Sequence, residues 1–202
     1  MTQSIMDTIQ KRIHDADEGT IFMTSSFSDL ASSTTARQCL GRLVSAKTIR
    51  RVLEGVYEKP KYSSYLKGNV PTNPELVARA IADNYHWTIA PSGEIALNKL
   101  GLSTQVPVVW TYISDGPYRE YTFDGVTISY KHRTNRNISK MSEVTIILIE
   151  ALKSLGKERV DEKTIQILKK RFSDDDKKTI LKEGMNSPEW IYEVIRKVCE
   201  EA

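Results

Sequence analysis

The most informative segment of the sequence is residues 34–47, TTARQCLGRLVSAK. Its apolar residues recur every three or four positions, which predicts an amphipathic helix with one buried face. That face consists of Ala36, Leu40, Leu43 and Val44. The opposite face is polar and carries Thr34, Thr35, Arg37, Gln38, Arg42 and Ser45. Arginine can bind guanine through two hydrogen bonds and glutamine can bind adenine likewise, so this face suits the major groove of DNA.

The segments around this helix complete a characteristic order of elements. Before it, the sequence predicts a helix over residues 4–16, a short strand over 20–23 and a short helix over 25–31. After it, residues 48–52 and 56–59 are typical of two strands joined by a turn that contains Gly55. This order is that of a winged helix-turn-helix, in which the second helix of the pair lies in the major groove. We therefore expect a DNA-binding domain of this kind at residues 1–62.

The distribution of charge supports this interpretation. Residues 1–33 hold two basic and five acidic residues, whereas residues 34–67 hold eight basic and two acidic ones. A segregated basic segment is typical of a phosphate-binding surface, although a solvated face gives the same pattern. Beyond the helix face, the expected contacts to the DNA backbone are Lys47, Arg50, Arg51, Lys59 and Lys61. Gly41 is unfavourable within a helix, and a spot without a side chain that faces DNA or a neighbouring helix would explain it.

The remainder of the chain predicts a second domain of α+β class. Residues 63–72 are rich in Ser, Gly, Asn and Pro and are expected to be a linker. Residues 73–202 are expected to contain a small antiparallel sheet, with strands at 106–113, 118–123 and 126–132, followed by C-terminal helices. The predicted fold class is thus α+β, with a winged helix-turn-helix followed by an α+β domain of uncertain function.

Part of the sequence resembles a known family. The stretch IRRVLEGVYEKP at residues 49–60 and the stretch APSGEIALNKLGLSTQVP at residues 90–107 resemble AbiEi-type antitoxins of type IV toxin–antitoxin, or abortive phage infection, systems. The resemblance covers residues 20–110 and implies a bacterial autorepressor that binds the promoter of its own operon. It also implies that the protein counteracts a nucleotidyltransferase-like toxin without forming a stable complex with it.

A second basic cluster follows the last predicted strand. Lys131, Arg133, Arg136 and Lys140 have no acidic residue among them, and are a candidate nucleic-acid or partner surface, or else a solvated loop.

Other classes of function find little support. Two cysteines and three isolated histidines, His14, His86 and His132, cannot form a zinc site of usual spacing. No nucleotide-binding motif, catalytic constellation, membrane span or secretory signal is recognisable. We therefore expect a cytoplasmic protein that is not an enzyme and has no cofactor or metal. Its expected partner is double-stranded promoter DNA, bound by a dimer or cooperatively.

Three alternatives remain open at this stage. One is a solitary winged-helix regulator without a toxin partner, and another is an adaptor that does not bind DNA. The third is an enzyme or nucleic-acid-processing accessory whose site lies in the C-terminal domain.

Overall fold

The computed structural model describes residues 4–133 and 141–200, and within them the fold is α+β. The chain forms two compact units. The first comprises Met1–His86 with Tyr121–Val126, and the second comprises Trp87–Glu120 with Thr127–Ala202. The first unit therefore extends past the expected boundary at residue 62 and takes in what was expected to be the linker.

The first unit begins with two helices and a small sheet. Helix α1 spans Ile5–Asp15, strand β1 spans Ile21–Met23, and a 3₁₀ turn spans Thr24–Phe27 where a short helix was expected. Helix α2 spans Ser33–Ser45, close to the predicted bounds. Strands β2, Arg50–Leu53, and β3, Val56–Glu58, form the expected hairpin. Strand β3 lies in the middle of an antiparallel sheet of order β1-β3-β2.

The core of this unit is assembled from one face of each element. Helix α2 buries Ala36, Leu40 and Leu43 of its predicted apolar face and partly buries Val44, whereas α1 buries Ile9 and Ile13 but leaves Ile5, the first residue of its predicted stripe, 45% exposed. The sheet and the 3₁₀ turn contribute aromatic rings. The core residues are Ile9, Ile13, Phe22, Phe27, Ala36, Cys39, Leu40, Leu43, Ile49 and Tyr57. Arg12 of α1 binds the 3₁₀ turn and the residues after it, since its guanidinium donates to the Ser26 carbonyl at 2.8 Å and to both carboxylate oxygens of Asp29 at 2.9 and 2.6 Å. This hydrogen bonding lowers the pKa of Asp29.

The expected linker contains a small hairpin. Strands β4, Tyr62–Ser63, and β5, Gly68–Asn69, pair antiparallel, and the Val70 amide donates to the carbonyl of Lys61 at 2.7 Å. Helix α3, Pro74–Asn84, follows and packs on β1, which explains why it belongs to the first unit. Strands of two residues are too short to show the alternation by which a sequence reveals a strand.

The four-stranded sheet differs from the expected meander. Its strands are β6, Ile89–Pro91; β7, Val109–Ser114; β8, Arg119–Phe123; and β9, Val126–His132, in the order β6-β7-β9-β8. Strand β7 pairs antiparallel with β6 but parallel with β9, so the prediction of a purely antiparallel sheet was wrong. Short turns fix the alternating directions of successive strands, but they do not fix the order of those strands across the sheet.

Five α-helices complete the second unit within residues 87–133 and 141–200. They are α4, Glu94–Lys99; α5, Glu143–Leu155; α6, Glu162–Arg171; α7, Asp174–Gly184; and α8, Glu189–Cys199. They enclose a core that includes Leu148, Leu152, Leu168, Ile180, Ile191 and Ile195. None of the helices in residues 4–133 and 141–200 combines the length and apolar character needed to cross a membrane.

Candidate nucleic-acid interface

Helix α2 presents a polar face to solvent. Its N-terminus is capped by Ser32, whose hydroxyl accepts a hydrogen bond from the Thr35 amide at 3.3 Å. Arg37, Gln38 and Arg42 are exposed, and their side chains make no hydrogen bond or ion pair with any described residue. Helix α2 contains no acidic residue, so nothing on the helix itself neutralises these cations.

Two of the α2 residues that were expected to contact DNA also form hydrogen bonds within the protein. The Thr35 hydroxyl lies 3.0 Å from the Ser32 hydroxyl, and the Ser45 hydroxyl donates to the Gly41 carbonyl at 3.1 Å. Thr34 is exposed at the first turn. Amide groups in a first helical turn lack intrahelical acceptors, so this end of α2 can also bind an anion.

A cleft of about 340 Å³ separates α2 from the β2–β3 hairpin. Helix α2 lines it with Arg37, Gly41 and Val44, and the hairpin lines it mainly with Arg51, Glu54 and Tyr57. The exposed residues of α2 thus form two stripes. One stripe follows the cleft, and the other, which includes Gln38 and Arg42, lies outside it.

Neighbouring arginines on β2 have different environments because successive side chains of a strand point to opposite faces. Arg51 is exposed, lies opposite Tyr57 in the sheet and lines the cleft. Arg50 lies opposite Glu58, which is only 3% exposed, and forms an ion pair with it. The Arg50 guanidinium also donates to the Val70 carbonyl at 3.1 Å and to the Thr72 hydroxyl. The Arg50 side chain is therefore held inside the first unit rather than presented to a partner.

The three lysines of the predicted interface also differ in whether their side chains have partners. Lys59 donates from Nζ to the carbonyls of His14 and Ala16, at 2.6 and 2.7 Å, and so binds the C-terminal end of α1. Lys47 and Lys61 are exposed, and neither side chain has a partner among the described residues. The surface basic residues of the first unit that remain available near α2 and the hairpin are Arg37, Arg42, Lys47, Arg51 and Lys61.

The family of the chain follows from a match over most of its length. Residues 8–180 match a family of unknown function (DUF6088). The chain belongs to the DUF6088 family. No curated protein matches the chain. The DUF6088 match includes every residue of α2 and the β2–β3 hairpin, but the description of the family assigns no activity and does not mention AbiEi-type antitoxins.

The second basic cluster of this DUF6088 protein is only partly described. Lys131 and Arg133 are exposed at the end of β9, and the Arg133 guanidinium donates to the His132 carbonyl at 3.3 Å. Arg136 and Lys140 lie outside the described residues.

The sequence did not reveal the interactions of Arg12 with the segment that precedes α2 in this DUF6088 protein. The Arg12 side chain reaches Asp29 and the Ser26 carbonyl, which are 17 and 14 residues away. Arg12 also lies over the ring of Phe27, with its guanidinium carbon 5.7 Å from the ring centroid. No local pattern in the sequence indicates contacts at such separations.

Proposed function

We propose that the first unit is a winged helix-turn-helix that binds double-stranded DNA, and that the protein represses transcription. The observation that carries this proposal is that Arg37, Gln38 and Arg42 on the polar face of α2 are exposed without a partner among the described residues, beside the exposed Arg51 of the adjoining hairpin. The major groove is about 12 Å wide and accepts one helix, whose buried side must pack on its own domain. The burial of Ala36, Leu40 and Leu43 meets that requirement.

The two stripes of α2 support a division between base contacts and phosphate contacts. Gln38 and Arg42 lie outside the cleft and are one helical turn apart, so both can reach base edges at the bottom of the groove. Arg37 lines the cleft with Arg51, where the hairpin approaches the DNA backbone. With Lys47 and Lys61 they supply the electrostatic contacts that set affinity but carry no sequence information.

A single module of this size buries little surface, so we propose that two copies bind repeated half-sites. Fluorescence anisotropy can test the proposal with a labelled duplex from the region upstream of the gene. We expect that duplex to bind at least about 10³-fold more tightly than an unrelated duplex of equal length at physiological salt. Equal affinity for the two duplexes would leave only the non-specific attraction of a basic surface, and the proposal would be wrong.

The resemblance to AbiEi-type antitoxins supports a narrower form of the proposal. In that form the protein represses its own operon and counteracts a nucleotidyltransferase-like toxin encoded next to it. Co-expression tests this: growth inhibited by the neighbouring gene product should recover when this protein is present. Normal growth on expression of the neighbouring gene alone would favour a solitary regulator instead.

A further inference from the structure

Gly41 is not explained by the fold. The chain contains ten glycines. Six have a positive φ, and at Gly116 and Gly184 a Cβ atom would clash at 2.4 and 2.7 Å with a neighbouring side chain. Gly68 lies outside the helices, in the two-residue strand β5, where a Cβ would be 3.8 Å from the Leu66 carbonyl oxygen. At Gly41 the backbone is helical and a Cβ would meet no atom within 4 Å. Glycine is the least favourable helix residue after proline, so α2 would be more stable with alanine at this position.

The surroundings of Gly41 indicate why a side chain is absent. Gly41 is exposed and lies on the cleft between α2 and the β2–β3 hairpin. Arg37 precedes it by one helical turn on the same face, and Arg51 lines the cleft from the hairpin. The neighbouring-helix explanation for Gly41 therefore does not apply, because no atom of the described chain approaches the position a Cβ would take.

We propose that the cleft seats one phosphate of the DNA backbone, and that Gly41 is where the sugar-phosphate chain comes closest to α2. This inference rests on the proposed DNA binding. The seat holds Arg37, Arg51 and Glu54, a net charge of one positive unit, which complements the single negative charge of a phosphodiester. A volume of about 340 Å³ accommodates a phosphate with part of its sugar. Backbone without a side chain lets a ligand approach closely.

The proposal predicts that one substitution has opposite effects on stability and on binding. Gly41→Ala should raise the Tm by about 2–4 °C because alanine favours the helix. The same methyl group should weaken binding to the upstream duplex at least about tenfold because it keeps the backbone from its seat. Ser154→Ala is the matched control, since it also introduces alanine at an exposed helix position, on α5 in the second unit. It should change DNA affinity less than about twofold.

A scan with methylphosphonate linkages identifies the phosphate itself. Each probe is the upstream duplex with one neutral linkage. For the wild-type protein, one or two adjacent linkages per half-site should reduce affinity about five- to tenfold. At those same linkages the affinity of the Gly41→Ala protein should fall less than about twofold, because its contact between the phosphate and the cleft is already absent.

The outcomes separate this inference from the function on which it rests. If the wild-type protein does not prefer the upstream duplex, the proposed function fails. If it does, but Gly41→Ala binds as tightly as the wild type, the inference alone is wrong. Weaker binding by Gly41→Ala with an unchanged methylphosphonate profile would also overturn the phosphate seat.

Discussion

Arg50 and Arg51 are adjacent in the chain but have different partners. Arg50 pairs with Glu58, whereas the exposed Arg51 lines the cleft beside α2. Removing one member of a buried ion pair leaves the other charge buried and uncompensated. Arg50 is therefore expected to stabilise the first unit, and of the two arginines only Arg51 belongs to the proposed DNA surface.

Substitution of the two arginines should accordingly give opposite results. Arg50→Gln should lower the free energy of unfolding by about 3 kcal/mol. This value is at the low end of the range for breaking a buried ion pair, because the side chain of Arg50 is 29% exposed. Arg51→Gln should change it by less than about 0.5 kcal/mol but weaken binding to all duplexes alike. Urea denaturation measures the change in stability, and fluorescence anisotropy measures the change in DNA binding. Equal loss of stability in the two variants would contradict the assignment.

The ion pair of Arg12 and Asp29 should make stability depend on acid pH. The pKa of Asp29 is lowered in the folded state by its hydrogen bond from Arg12. The pair thus stabilises the fold fully above the unfolded-state pKa of about 3.9, and this contribution disappears as the pH falls through the folded-state pKa. Urea midpoints should therefore fall more between pH 5 and pH 3 in the wild type than in Asp29→Asn. The same pH dependence in both proteins would contradict this role for Asp29.

At the level of elements, the proposed division between base contacts and phosphate contacts lies on α2. Gln38→Ala and Arg42→Ala should each lose about 1–3 kcal/mol of discrimination at one base pair. Arg37→Ala should weaken binding to every sequence by a similar factor, because Arg37 lines the cleft. A competition assay among duplexes that differ at single base pairs measures the discrimination and the overall affinity of each variant. If Arg37→Ala relaxed specificity and Arg42→Ala did not, the two stripes would have been assigned the wrong way round.

The elements predicted well were those with a local signature. The apolar spacing of α1 and α2 and the glycine turn of the β2–β3 hairpin indicated these elements within a few residues. The β4–β5 hairpin and the parallel pairing of β7 with β9 were missed, because neither follows from periodicity. In the candidate site, the polar face of α2 and the basic charge predicted eleven contact residues, seven of them basic, but neither signal could show that Arg50 and Lys59 bind groups 20 to 45 positions away.

At the level of the whole molecule, the affinity for DNA should fall steeply as the salt concentration rises. If the cleft of Arg37 and Arg51 neutralises one phosphate, and Lys47 and Lys61 neutralise one each, the logarithm of the affinity should fall with the logarithm of the salt concentration with a slope of about −3 per bound copy. Arg37→Ala combined with Arg51→Ala should make the slope shallower by about 1 per copy. The control is Lys163→Ala with Lys170→Ala, which removes equal charge from exposed positions on α6. Equal slopes in the two double variants would contradict the contact assignment.

The central claim is that the solvent-facing side of α2 binds DNA, and the affinity of one double variant tests it most directly. Anisotropy should be measured on the upstream duplex for the wild type, for Arg37→Ala with Arg42→Ala, and for Lys163→Ala with Lys170→Ala. We expect Arg37→Ala with Arg42→Ala to bind the duplex roughly 100-fold more weakly than the wild type, where each tenfold loss of affinity corresponds to about 1.4 kcal/mol. We expect Lys163→Ala with Lys170→Ala to bind it nearly as tightly as the wild type does. Equal affinity of all three proteins for that duplex would contradict the account.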